Sequence, residues 1–128
     1  MVVRDTPWPD GTPCWVDLGA SDIPKAISFY SAQFGWDIEP GGAEVGGYSI
    51  AHRDGRIVAA VGPKMGSPDQ PSAWTTYLAT DDADATHAQF AALGVDVDPE
   101  VSRMGDPVPP MFWFRDPTGH SLMVVEQT

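Results

Sequence analysis

The chain has 128 residues, 42% of them hydrophobic and 10% aromatic, enough to build one core of ordinary domain size. Seven Lys and Arg against 18 Asp and Glu give a formal charge of −11, which argues against nucleic acid and anionic membrane as partners; it would draw in a cationic ligand, but its plainer reading is solubility. The single cysteine, Cys14, excludes an internal disulfide or a thiolate metal cluster. No apolar run approaches the ~18 residues of a membrane span. Met1 to Asp10 carries acids and prolines where a signal peptide is apolar, so a cytoplasmic location is expected.

Met1 to Thr12, with Pro7 and Pro9 flanking Trp8, cannot be helical and reads as an extended arm. Cys14 to Leu18 alternates as a strand, with Cys14, Val16 and Leu18 on one face and Trp15 and Asp17 on the other. Ser21 or Asp22 caps a helix with Pro24 in its first turn. Ile23, Ala26, Ile27, Tyr30 and Phe34 form its apolar stripe, and Gly35 ends it in the left-handed conformation. Trp36 to Glu39 is a short strand and Pro40 to Gly47 a Gly-rich turn. Tyr48 to Arg53 and Ile57 to Val61 form a hairpin across Asp54-Gly55, a strong short-range signal.

Gly62 to Ser72 is rich in Gly and Pro and reads as a connector or a mobile lid carrying Met65. Ala73 to Thr80 is the next strand. Asp81 or Asp82 caps a second helix with Ala85, Ala88, Phe90, Ala92 and Leu93 as a weaker stripe ended by Gly94. Val95 to Val97 is a short strand and Pro99 to Pro110 a broken loop. Met111 to Phe114 and Ser121 to Val125 pair across Asp116-Pro-Thr-Gly119.

The order is βαβββ used twice. Gly35 superposes on Gly94, and Asp22 on Asp82, at an offset of roughly 60 residues, about half the chain. The expectation is one α+β domain: a first module at about 13–62, a connector at 63–72 and a second module at about 73–127. Each module places antiparallel-leaning strands under one helix, leaving the opposite sheet faces free to curve around a shared cavity.

Ser28 to Tyr30 followed by Phe34 to Trp36, the DDADA helix start at Asp81 to Ala85, and the closing FRDPTGHSLMVVEQ resemble the vicinal oxygen chelate superfamily. That superfamily includes glyoxalase I, extradiol dioxygenases, fosfomycin-modifying enzymes and bleomycin-type resistance proteins. The resemblance runs from Pro13 onward and implies the fold more than any one activity. Metal-using members carry a ligand on the first and last strand of each half. The corresponding positions here are Trp15, Ala60, Thr75 (or Trp74 in a register shifted by one) and Met123, none a His, Glu or Asp. Asp17, two residues beyond Trp15 on the same strand face, is the one exception, and a divalent cation needs several such ligands. His52, His87 and His120 fall beside a turn, on the second helix and after a turn. No metal or other cofactor is expected.

In the geometry that the resemblance implies, Trp15, Asp17, Tyr48, Thr75, Tyr77 and Met123 line the cavity, with Ile50, Val58 and Val125 as further wall candidates. Either Trp113 or the flanking Phe112 and Phe114 join them. Such aromatic walls suit planar ligands and cations; the bland alternative is that the tryptophans simply fill a core. Asp17 either bonds a nearby turn or serves as an ion-pair or proton-transfer group.

The favoured reading is a non-catalytic, homodimeric binder that sequesters a hydrophobic aromatic natural product, as in self-resistance of the bleomycin, mitomycin or enediyne type. The alternative is a metal-independent lyase, cyclase or isomerase acting on a polyketide-like substrate through Asp17 or His120. A third reading, one half of a larger two-domain protein, is disfavoured by where the chain starts and stops.

Overall fold

The computed structural model describes residues 6–64 and 69–127. Of the segment Gly62 to Ser72 expected as a connector or lid, Gly62 and Pro63 belong to the strand Arg56–Pro63, and residues 65–68, Met65 among them, lie outside the described residues. The fold is mixed α+β, and its elements run β1 (Pro13–Ala20), α1 (Ile23–Phe34), β2 (Asp37–Ile38), a 3-10 turn (Ala43–Val45), β3 (Ser49–Arg53) and β4 (Arg56–Pro63). They continue with β5 (Ala73–Thr80), α2 (Ala83–Ala92), β6 (Asp96–Val97), β7 (Met111–Arg115) and β8 (Ser121–Glu126). Two compact units result. One holds Trp15–Thr75; the other holds Thr76 onward together with the N-terminal arm up to Cys14.

In the first unit the strands lie in the order β2, β3, β4, β1. β2 to β4 pair antiparallel, but β4 runs parallel to β1, Asp17 facing Ala60 and Leu18 facing Val61. The sheet is therefore mixed and mostly antiparallel, as expected: a helical crossover and a hairpin together bring the chain back in its starting direction for the one parallel pair. Asp22 caps α1 by accepting from the Lys25 N–H at 3.0 Å, and Pro24 occupies the first turn. Gly35, at φ 70°, closes the helix with its N–H on the Ser31 carbonyl.

Ile23, Ala26, Ile27 and Tyr30 pack on Leu18, Ala20, Ile38, Ala51, Ala59 and Val61. Phe34 is 52% exposed and stands outside this set, its ring stacked on Tyr30 at 6.0 Å. Trp36 stacks on Tyr30 at 5.3 Å, and Trp74 meets Tyr30 edge-on while donating its indole N–H to the Tyr30 hydroxyl at 3.1 Å. Trp74 therefore faces the helix.

The second unit repeats the scheme in the order β5, β8, β7, β6, with β5 and β8 parallel and the remaining pairs antiparallel. The N-terminal arm bonds β5 through Gly11, Thr12 and Ala79. Asp82 caps α2 through the Ala85 N–H, and the Glu126 carboxylate accepts from Ala83, so two acids sit at the positive end of the helix dipole.

The buried stripe of α2 differs from the expected one. Ala83, Thr86, His87 and Phe90 face inward, while Ala85, Ala88 and Ala92 are exposed and Leu93 is 75% exposed. The inward polar groups are satisfied: the Thr86 hydroxyl bonds Thr80 at 2.7 Å, and the His87 ring nitrogen lies 2.6 Å from the Asp98 carbonyl. A periodicity count scores both residues as polar and so rotates the stripe.

Phe112 is 0% exposed and meets His87 and Phe90 edge-on at 5.1 and 5.8 Å. It is a core residue, which corrects its assignment to a ligand wall: strand alternation sends Phe112 and Phe114 beneath α2 and Trp113 to the other face. Phe112→Ala should therefore lower stability by about 3 to 5 kcal/mol in urea denaturation, whereas Trp113→Ala should cost less than about 1 kcal/mol. Equal losses for both would place Trp113 in the core as well.

Candidate functional site

Each unit has a sheet face turned away from its helix, and the site candidates fall there. On the first unit, register places Asp17, Ala60 and Ile50 in one row across β1, β4 and β3. Leu18, Val61 and Ser49 form the neighbouring row beneath α1. Tyr48 enters just before β3 and reaches across the sheet. Its hydroxyl donates to Asp17 Oδ2 at 2.9 Å and accepts from the Trp15 indole N–H at 3.1 Å. Trp15, Tyr48 and Asp17 thus form one hydrogen-bonded chain.

Burial pushes the Tyr48 phenol well above its ordinary value. The Trp15 donor works in the opposite direction, while the charge of Asp17 and its hydrogen bond add to the rise. The phenol stays neutral and remains a donor to Asp17. Tyr48 takes part in the hydrogen-bonding role foreseen for Asp17.

An open cleft of about 730 Å³ adjoins Tyr48. Ile50, His52 and, opposite His52 on β2, Asp37 line it on the sheet side, and Glu39 and Glu44 on the loop side. Val58, a wall candidate, packs instead on the α1-side core, because a register shift between Ala51 and His52 breaks the alternation at that point. Thr75 is half-buried on β5 and lies outside the hydrogen-bonded chain.

On the second unit, Tyr77, Met123 and Trp113 stand opposite one another across β5, β8 and β7. Their neighbours Leu78, Val124 and Phe112 form the row beneath α2. Trp113 is 37% exposed and Met123 half-buried. Val125, a further wall candidate, is buried on the same side as Met123 and Met111.

Cys14 donates to the Tyr77 carbonyl at 3.5 Å, and burial raises its thiol above the usual range. His120 follows the turn: the Thr118 hydroxyl, foremost, and the N–H groups of His120 and Thr118 bond the Asp116 carboxylate and hold it below the usual carboxylate value.

Among the described residues no group of three or more His, Cys, Asp or Glu side chains is placed to hold a metal ion. Of Trp15, Ala60, Thr75 and Met123 only Thr75 carries an oxygen donor, too few for a divalent cation, which needs several nitrogen or oxygen ligands converging on one point. The residues present do not fit the metal of the metal-using superfamily members. Nor, among the described residues, is any helix long and apolar enough to cross a membrane.

The model of the Glyoxalase/Bleomycin resistance protein/Dioxygenase superfamily matches residues 14–124, and the chain belongs to that superfamily. Among curated relatives, CFP32 of Mycobacterium tuberculosis, named for a glyoxylase, is 40% identical over 118 residues, covering 88% of this chain and 44% of its own. The anthracycline biosynthesis protein DauV of Streptomyces sp. (strain C5) is 34% identical over 134 residues, covering 89% of this chain and 46% of its own. The chain thus spans less than half the length of these relatives, the length relation that the two-domain reading requires.

Among solved structures, Streptomyces coelicolor methylmalonyl-CoA epimerase in complex with 2-nitronate-propionyl-CoA superposes with a TM-score of 0.66 at 18% identity. That match covers 92% of this chain and 98% of the epimerase. It establishes the shared fold.

The sequence named Trp15, Asp17 and Tyr48 separately but did not foresee their connection. It also missed Gly62, whose lack of a side chain leaves room for the Tyr48 ring. The state of Tyr48 is open to titration. An unfolded tyrosine ionises near pH 10, and the raised phenol keeps its proton beyond that. Its stabilising contribution is therefore complete below about pH 10 and is lost as pH climbs toward the folded value. Tyrosinate absorbance should show a fraction that resists ionisation above the ordinary range, and Tyr48→Phe should remove that fraction. An unchanged late fraction in the variant would assign it to another residue.

Proposed function

We propose that this protein binds a planar aromatic small molecule without converting it, using the helix-free sheet faces as its ligand surface. The observation that carries the reading is the row of Tyr77, Met123 and Trp113, three large polarisable side chains side by side on the face opposite α2. Flat π-faces and a thioether favour a conjugated ligand, each aromatic pair adding roughly 0.5 to 1.5 kcal/mol beyond area burial. Trp15 supplies a second aromatic surface, held by Tyr48. Asp17 and the acids beside Tyr48 favour a ligand that also carries a donor or a cation, in keeping with the charge of −11. No metal takes part.

The name of DauV directs the choice of ligand toward polycyclic aromatics of the anthracycline kind. Sequestration of such a compound, as in antibiotic self-resistance, is the biological role this reading assigns. Tryptophan fluorescence quenching by an anthracycline measures binding, and chromatography of the recovered compound establishes whether it is unchanged. Trp15→Ala and Trp113→Ala should each weaken binding by at least ~2 kcal/mol, about thirty-fold, with both variants folded by circular dichroism. Parental affinity in both would remove the aromatic faces from the site.

The Tyr48–Asp17 hydrogen bond supports a second reading, a metal-independent lyase, cyclase or isomerase in which Asp17 accepts a substrate proton and Tyr48 orients the carboxylate. A new product in the recovered compound selects it.

We further propose that two copies associate as a homodimer. Phe29, Phe34, Ile57 and Leu93 are exposed apolar side chains in a chain of this size, and they supply surface that association can cover. Light scattering at micromolar concentration should return twice the chain mass of 13.7 kDa, and a monomeric mass would reject the dimer.

A further inference from the structure

Tyr48 is held more tightly than a residue between a glycine-rich turn and a strand needs to be. Its N–H bonds the Val45 carbonyl at 3.1 Å, closing the 3-10 turn. Gly41 lies against its carbonyl so closely that a Cβ there would sit 2.1 Å from the oxygen. The next residue, Ser49, is 1% exposed; its hydroxyl accepts from the Gly41 N–H and donates to the Gly47 carbonyl, both at 2.9 Å. These bonds tie the loop Gly41–Gly47 to the start of β3 and fix the Tyr48 backbone.

The ring is then aimed by Gly62 on β4. Gly62 is buried, and a Cβ built on it would lie 2.8 Å from Tyr48 Cδ2, 3.5 Å from Cε2 and 3.7 Å from Cγ. The nearest of these atoms belongs to the body of a rigid ring whose hydroxyl is already engaged by Trp15 and Asp17. The ring cannot yield at that point without withdrawing the hydroxyl. Gly62 has an ordinary strand backbone, since its φ is not positive. Conformation does not require glycine there; the space for Tyr48 does.

We propose that Gly62 is a positioning residue of the ligand site, acting through Tyr48: the absent side chain lets the ring cross β4 and hold Trp15 and Asp17 in fixed orientations. This rests on the reading of the helix-free face as the ligand surface. The consequence for specificity is direct. With glycine at 62, Trp15 is anchored through its indole N–H and offers its ring as a fixed stacking plane. With any larger residue the indole is released and Asp17 loses its phenol partner.

The experiment compares the parent with Gly62→Ala, Tyr48→Phe and the double variant. The first readout, taken without ligand, is the Trp15 indole N–H resonance, assigned among the five tryptophans by its loss in Trp15→Phe. Tyr48→Phe removes the acceptor and moves this resonance. Gly62→Ala should move it in the same direction, and in the double variant it should stay where Tyr48→Phe put it. A parental resonance in Gly62→Ala, even with a lowered melting temperature, overturns the proposal.

The second readout is anthracycline affinity. Gly62→Ala and Tyr48→Phe should each weaken it about tenfold, the scale of one lost hydrogen bond, and the double variant should be no weaker than either single. If the resonance moves while affinity stays parental in both single variants, the positioning role stands and the ligand surface is elsewhere. Should Gly62→Ala fail to fold, Gly62→Ala/Tyr48→Ala decides. Recovery of a cooperative melt shows that the clash is with the Tyr48 ring, and no recovery overturns the proposal.

Discussion

A pleated strand beneath a single helix can send only every second side chain under that helix, and this constraint decides which face each residue meets. In the first unit Leu18, Ala51, Ala59 and Val61 go under α1; in the second Phe112, Phe114 and Val124 go under α2. Their alternates, Trp15 and Asp17 on one unit and Tyr77, Met123 and Trp113 on the other, are turned to the opposite face by geometry alone. An aromatic residue there is not needed to close the core under the helix. Its presence calls for another explanation, and a ligand surface supplies one.

The polar content of the first unit's open face depends on a second constraint. A carboxylate and an indole N–H on a half-buried sheet surface each need a partner. Tyr48 serves both with one hydroxyl, accepting from one and donating to the other. The same arrangement keeps the phenol protonated and leaves Asp17 as the acceptor. A phenol held over a glycine thus gives this face a fixed polar centre.

Much of this was legible in the sequence because it is local. Asp22 and Asp82 at the helix starts, Gly35 at a helix end and the Asp54-Gly55 turn, with φ of 52° and 77°, act through neighbours within a few residues. Alternation gave the correct face for Trp15 and Asp17. What stayed hidden was tertiary. Thr86 and His87 replace alanines in the stripe of α2 because Thr80 and Asp98, on the segments either side of the helix, satisfy them, which a count of apolar positions does not register. The parity of Phe112 to Phe114 needs the register with β8, which no run of three aromatics contains. The link from Trp15 to Tyr48 spans 33 residues and becomes possible only where Gly62 leaves space.

The central claim is that the ligand meets the sheet faces turned away from the helices. Mapping amide and side-chain resonance changes while an anthracycline is titrated into the labelled protein tests it most directly. The account requires the changes to concentrate at Trp15, Asp17, Tyr48, Tyr77, Trp113 and Met123, with the α1 and α2 contacts of Tyr30, Phe90 and Phe112 undisturbed. Changes centred on the exposed Phe29 and Phe34 of α1, or none at saturating ligand, would contradict it.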